Sequence, residues 1–229
     1  MNRIELNHLV PRISRSQFDE EATKFLERTY PQALDNPMPT PIEVIAKDVL
    51  NLNILEERLT EDLSILGQMC FTDGLAEIYD KTNDEYREIY VKSGTMIIDP
   101  DTLHKRNIGS KRNTIAHECF HWTRHRFYYI AASGKERCFE DEMVEEQKAE
   151  WSEEDWMEWQ ANNIAPRILM PRETIGQAMD IVIKRGDMNP FISKGLIPKD
   201  GWIVEQIAGM YRVSKQAAEI RLQELGYLT

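Results

Sequence analysis

The sequence predicts an α+β fold, with helical segments flanking one small antiparallel sheet. Three observations carry this. Apolar residues recur at three- and four-residue spacing over residues 16–30, 40–50, 111–131 and 203–225. Between them, at 65–72, 75–79, 86–91 and 95–98, the pattern changes to short apolar or alternating runs. Those runs are punctuated by Asp73-Gly74, Asn83-Asp84 and Ser93-Gly94, which are turn dipeptides, so they read as an antiparallel meander.

In order along the chain, the first helix spans 16–30, with Ser16 as its cap and Phe18, Ala22, Phe25 and Leu26 as an apolar stripe. It reads as a packing arm. Asp35-Asn36-Pro37-Met38-Pro39 is a turn-rich linker, and a second helix then runs to Leu50 with Pro41 at the tolerated first position. After the four strands, one helix covers 111–131, with Ile115, Cys119, Trp122 and Ile130 available to a core. The tail from Gly201 to Thr229 carries two helical patterns, 203–211 and 214–225, joined by Arg212-Val213, which is a helix-turn-helix outline.

The helix over 111–131 contains His117-Glu118-Cys119-Phe120-His121, an HExxH pattern. Histidines four apart on a helix share one face, about 6 Å apart along the axis, and can both reach one zinc ion. A carboxylate in the second position can polarise a water beside that ion, so Glu118 is placed as a general base. The third ligand is best sought in Glu158-Trp159-Gln160-Ala161-Asn162, also helical in pattern. Glu158 and Asn162 face the same way, so Glu158 can complete a His2Glu site with one position open. The amide oxygen of Asn162 can then accept a proton from a liganding histidine. His125 repeats the four-residue step but lies about 12 Å along the axis from His117, too far to ligate the same ion. It, Tyr128 and Tyr129 read as packing groups, with proton donation or an oxyanion contact as the alternative. An edge strand beside such a site can take an extended peptide by strand addition, and residues 86–91 are assigned that role.

Three blocks in this order make the chain resemble the ImmA/IrrE family of zinc-dependent metallo-endopeptidases, found in bacteria and their mobile elements. The blocks are Arg112-Asn113-Thr114-Ile115-Ala116-His117-Glu118 with His121, then Glu158 to Asn162 running into Ile168-Leu169-Met170-Pro171, and more weakly Val213 to Ala218 with Arg221-Leu222 and Leu225-Gly226. The resemblance implies a minimal zincin-like metallopeptidase domain over 1–175, with the HExxH helix against the small sheet, followed by a C-terminal helical segment over 176–229. It also implies site-specific cleavage of a helix-turn-helix transcription repressor, which relieves repression of neighbouring genes. Two departures stand out. Cys119-Phe120 replaces the usual Leu-Gly pair, so Phe120 is expected to narrow or reshape the cleft. Pro166 interrupts the second motif helix and is expected to bend it. The alternative is a zincin-shaped binding module that captures a repressor or toxin partner without cutting it; the presence of Glu118 favours an enzyme.

Composition sets further bounds. The chain has 229 residues, 41% of them hydrophobic, and the first thirteen contain no apolar run of signal-peptide length, so a cytoplasmic protein with no membrane partner is expected. Cys70, Cys119 and Cys138 fall at no metal-like spacing, and Cys119 is read as core. The net charge of −11 argues against direct nucleic-acid binding. In the tail, Arg212, Lys215 and Arg221 are offset by Glu205, Glu219 and Glu224, which gives the helix-turn-helix outline a packing or recruiting role. Residues 135–158 hold eleven acidic against three basic side chains. This run reads as a solvated connector, or else as an acidic lid or docking surface for a basic partner.

Overall fold

The structure, a computed structural model, describes residues 9–101, 108–133, 151–196 and 198–228. The chain is α+β, as expected, and among the described residues no helix is long and apolar enough to cross a membrane. A 3₁₀ turn, Arg15–Gln17, leads into α1 (Phe18–Thr29). The cap is Ser14 rather than Ser16: its backbone N–H donates to Gln17 Oε1 at 2.9 Å. The expected stripe of Phe18, Ala22, Phe25 and Leu26 is buried. After a short α2 (Gln32–Asp35), Pro41 precedes α3 (Ile42–Val44), which widens into a π-helical turn, Ile45–Val49.

The single antiparallel meander is corrected to two sheets. Strands β1 (Asn53–Glu56), β2 (Gly67–Cys70) and β5 (Thr95–Ile98) form one sheet in the order β1-β5-β2, with β1 parallel and β2 antiparallel to β5. β3 (Gly74–Asp80) and β4 (Glu85–Val91) form a separate hairpin. Strand β1 was not anticipated, because its Asn-Ile-Leu-Glu run has no clear alternation and its partner lies some forty residues away. The central strand β5 is buried along its whole length. Met96 and Ile98 join Met69 in the main core with the helices, while Ile97 joins Cys70, Ala76, Ile78 and Val91 under the hairpin. Covering on both faces explains why this strand is continuously apolar.

The motif helix is two helices, α4 (Ile108–Arg124) and α5 (Arg126–Ser133), broken at His125. α6 (Glu153–Leu169) begins at a capping box, with Ser152 Oγ accepting from Asp155 N–H at 3.0 Å and Ser152 N–H donating to Asp155 Oδ2 at 2.9 Å. It runs through Pro166 to Leu169, so the expected interruption does not occur. α4 packs side by side with α6 and rests on β2 and β5.

Among the described residues, the remainder holds the helices α7 (Arg172–Asp187), α8 (Pro190–Ser193), α9 (Lys199–Tyr211) and α10 (Lys215–Glu224). The two tail helices fall where the sequence placed them, and Arg212 turns the chain between them in the left-handed region at φ 53°. α7 and α8 were not placed individually, although a helical segment was expected over 176–229. Ile175, Ala178 and Val182 of α7 form a second core with Ile207, Tyr211 and Leu222. A buried ion network joins the two cores. The Arg221 guanidinium bonds the Asp19 carboxylate and the Met170 carbonyl, and Arg167 bonds Glu224 at 2.9 Å.

Candidate metal centre

Within α4, Ile115, Ala116, Cys119 and Phe120 turn into the main core and leave His117 and His121 on the side facing α6. Phe120 is therefore a core residue and does not narrow the cleft. One position of difference along a helix rotates a side chain by about 100°, which takes it off the histidine face. Cys119 is buried in the core, as expected.

From α6, Glu158 spans both rings. Its Oε2 lies 3.3 Å from His117 Nε2, its Oε1 lies 3.2 Å from His121 Nε2, and the two Nε2 atoms are 2.9 Å apart. Among the described residues, these three side chains are the group whose ligand atoms cluster, all within 4.8 Å of one another. A tetrahedral ion with bonds of about 2.0–2.1 Å spaces its donors about 3.3 Å apart. The observed spacing and the N/N/O donor set fit a metal ion. His125 is not in the group, as its axial distance required.

The three groups also hydrogen-bond one another, which shifts His117 and Glu158. Burial opposes protonation of His117, but its hydrogen bond to Glu158 and the nearby Glu118 carboxylate outweigh it and hold the imidazole above its ordinary value. Burial also works against ionisation of Glu158, yet the hydrogen bonds from both histidines push its carboxyl well below the usual range. Asn162, exposed on α6, hydrogen-bonds His117, which is the contact its helical phase suggested.

Glu118 is buried beside this group, and burial raises its carboxyl against the opposing pull of the two histidines. A carboxylate displaced toward neutrality suits proton transfer near pH 7. It lies against Gly67 of β2, where an added Cβ would sit 3.1 Å from Glu118 Oε1 and 2.4 Å from Thr114 Cγ2. A lone glycine at the start of a strand run is the signal that marks such a close approach.

The group opens into a cleft of about 750 Å³, with Gly67, Gln68 and Met69 along one wall and Phe71 and Tyr129 at one end. The two rings at that end stack at 4.3 Å with an interplanar angle of 6°. In the order β1-β5-β2, strand β2 is an edge strand and borders the cleft. The run 86–91 belongs to the hairpin and does not, which corrects its assignment as the peptide-binding edge.

The break at His125 holds a further cluster that sequence reasoning missed. His125 is fully buried, with Nδ1 3.2 Å from His121 Nδ1 and Nε2 3.1 Å from Gln160 Oε1. Gln160 Nε2 in turn donates to the Pro11 carbonyl at 2.7 Å. Burial, reinforced by the neighbouring histidines, pushes the His125 imidazole down to about 3, so its ring is neutral. No local signal marks Gln160, which differs from Glu158 by two helical positions and faces away from it. The acidic run expected to act as connector or lid falls mainly at 135–150, outside the described residues, as does Cys138.

No protein-family model matches the chain, and no curated protein matches it either.

Proposed function

We propose that the chain is a zinc-dependent endopeptidase of minimal zincin-like architecture that cuts a specific protein substrate. The observation that carries this is the convergence of His117 Nε2, His121 Nε2 and a Glu158 carboxylate oxygen beside a buried Glu118, at the floor of a cleft bordered by an edge strand. Zinc is the natural ion for two imidazoles and one carboxylate with an open position.

When bound there, zinc supplies Lewis acidity and lowers the pKa of a water toward about 7. Glu118 takes the proton from the attacking water and returns it to the leaving amide nitrogen. The edge of β2 offers unpaired backbone groups to an extended substrate, which would align its scissile bond along the cleft. Asn162 steadies the His117 ring.

The resemblance to the ImmA/IrrE family, carried by the two motif helices and the tail, supports a helix-turn-helix repressor as substrate. The tail helices Lys199–Tyr211 and Lys215–Glu224 then act by packing and recruiting rather than by reading DNA.

The experiment is elemental analysis of zinc per chain, followed by incubation with a helix-turn-helix repressor encoded beside this gene. The expected result is about one equivalent of zinc, lost in Glu158→Ala, and repressor fragments that disappear in Glu118→Gln while zinc is retained. A stable uncut complex would establish capture instead, and a Glu118→Gln variant that still cuts would remove that residue from the mechanism.

A further inference from the structure

The path from the Pro11 carbonyl to His121 has only one consistent arrangement of protons. The Pro11 carbonyl can only accept, so the Gln160 amide is oriented with Nε2 toward it at 2.7 Å and Oε1 toward His125. Oε1 can only accept, so at 3.1 Å it takes the proton on His125 Nε2. A buried imidazole carrying one proton then presents a bare Nδ1, which accepts from His121 Nδ1–H at 3.2 Å. That commits His121 Nδ1 to His125 and leaves Nε2, the nitrogen facing His117 and Glu158, as the one available to a metal.

We infer that His125 and Gln160 are positioning residues that fix the tautomer and ring orientation of His121 for metal binding, anchored by the Pro11 carbonyl. The inference rests on the metal-site reading above. The two liganding histidines are then oriented differently: His117 by the exposed Asn162, and His121 by a buried relay crossing three segments of the chain. Leu9 and Val10 pack beside Tyr128 and Met157, which holds the Pro11 end of the relay between α5 and α6. His125 Nδ1 and Nε2 are both used in the relay, which leaves neither nitrogen free for proton transfer to a substrate.

The test uses the full-length protein and two readouts independent of peptide cleavage. Long-range 1H–15N NMR of the metal-free wild type should show His121 protonated on Nδ1. Zinc affinity, measured by competition with a chromophoric chelator, should fall about 10- to 100-fold in Gln160→Met, which removes the acceptor at similar volume. Gln160→Glu, which keeps an acceptor facing His125, should retain more affinity than Gln160→Met. A wild-type His121 with no proton on Nδ1 overturns the relay, as does a folded Gln160→Met variant with wild-type zinc affinity. If Gln160→Met does not fold, or if the wild type takes up no zinc, the His121 tautomer still decides the relay. The second of these results would separately refute the zinc reading.

Discussion

Gly67 and Thr114 approach so closely that a Cβ on the glycine would lie 2.4 Å from Thr114 Cγ2. This contact seats β2, an edge strand of the three-stranded sheet, directly on α4 beside Glu118. Gly67→Ala should force the strand away from the helix. Cleavage is expected to fall by about 10- to 100-fold in kcat/KM, the scale of a misplacement of about 1 Å, with zinc still bound at about one equivalent. Adding Thr114→Ser removes Cγ2 and should recover part of the loss. No recovery in the double variant would mean that the strand is positioned by something else.

Glu118 carries a stability cost in the metal-free protein. Burial raises its pKa in the fold, so the folded state holds this proton more tightly than the unfolded chain. The carboxyl therefore favours folding below its unfolded pKa of about 4.3, and that advantage is lost as pH rises through the folded value. Glu118→Gln should raise the Tm of metal-free protein at pH 7 by about 2–4 °C for each kcal/mol of desolvation relieved, and by less at pH 4. Equal shifts at the two pH values would show that the carboxylate is not penalised by burial.

Asp19 on α1 is the acidic partner of Arg221, whose side chain is 2% exposed on α10. Removing one member of a buried pair leaves the other charge uncompensated. Asp19→Ala should destabilise the protein on the order of 3 kcal/mol, with proteolysis around α10 enhanced before global unfolding. A change within about 0.5 kcal/mol, typical of surface sites, would show that Glu224 and the Met170 carbonyl suffice for Arg221.

Burial, with help from Glu118, pushes the Cys70 thiol up to about 11, and burial pushes Cys119 higher still. In a Cys138→Ser background, a thiolate-selective reagent at neutral pH should therefore label the folded protein roughly 100-fold more slowly than the unfolded chain. Rapid labelling in the native state would show that β2 separates from the core readily.

Where the candidate site is written in helical phase, the sequence alone was enough to place its side chains together. His117 and His121 stand four apart, Glu158 and Asn162 stand four apart, and the structure brings three of these donors to one point with Asn162 touching His117. Phase along a helix is local, set by 3.6 residues per turn, so it can be read without knowing what packs where. The same holds for the hairpin, whose two strands alternate around a turn-forming run, and for the two tail helices.

What needed the tertiary structure is whatever depends on a partner distant in the chain. β1 becomes a strand because β5 lies beside it, and β2 becomes the edge facing the cleft because β5 stands between it and β1. Phe120 is core rather than cleft because α4 buries that side against its neighbours. Gln160 matters because folding carries Pro11, 149 positions away, to its amide while His125 meets its other end. Local propensity decides helical phase and turn position. Hydrogen-bond satisfaction and close packing between remote segments decide which face is buried, which strand edge borders the cleft, and which histidine nitrogen faces Glu158.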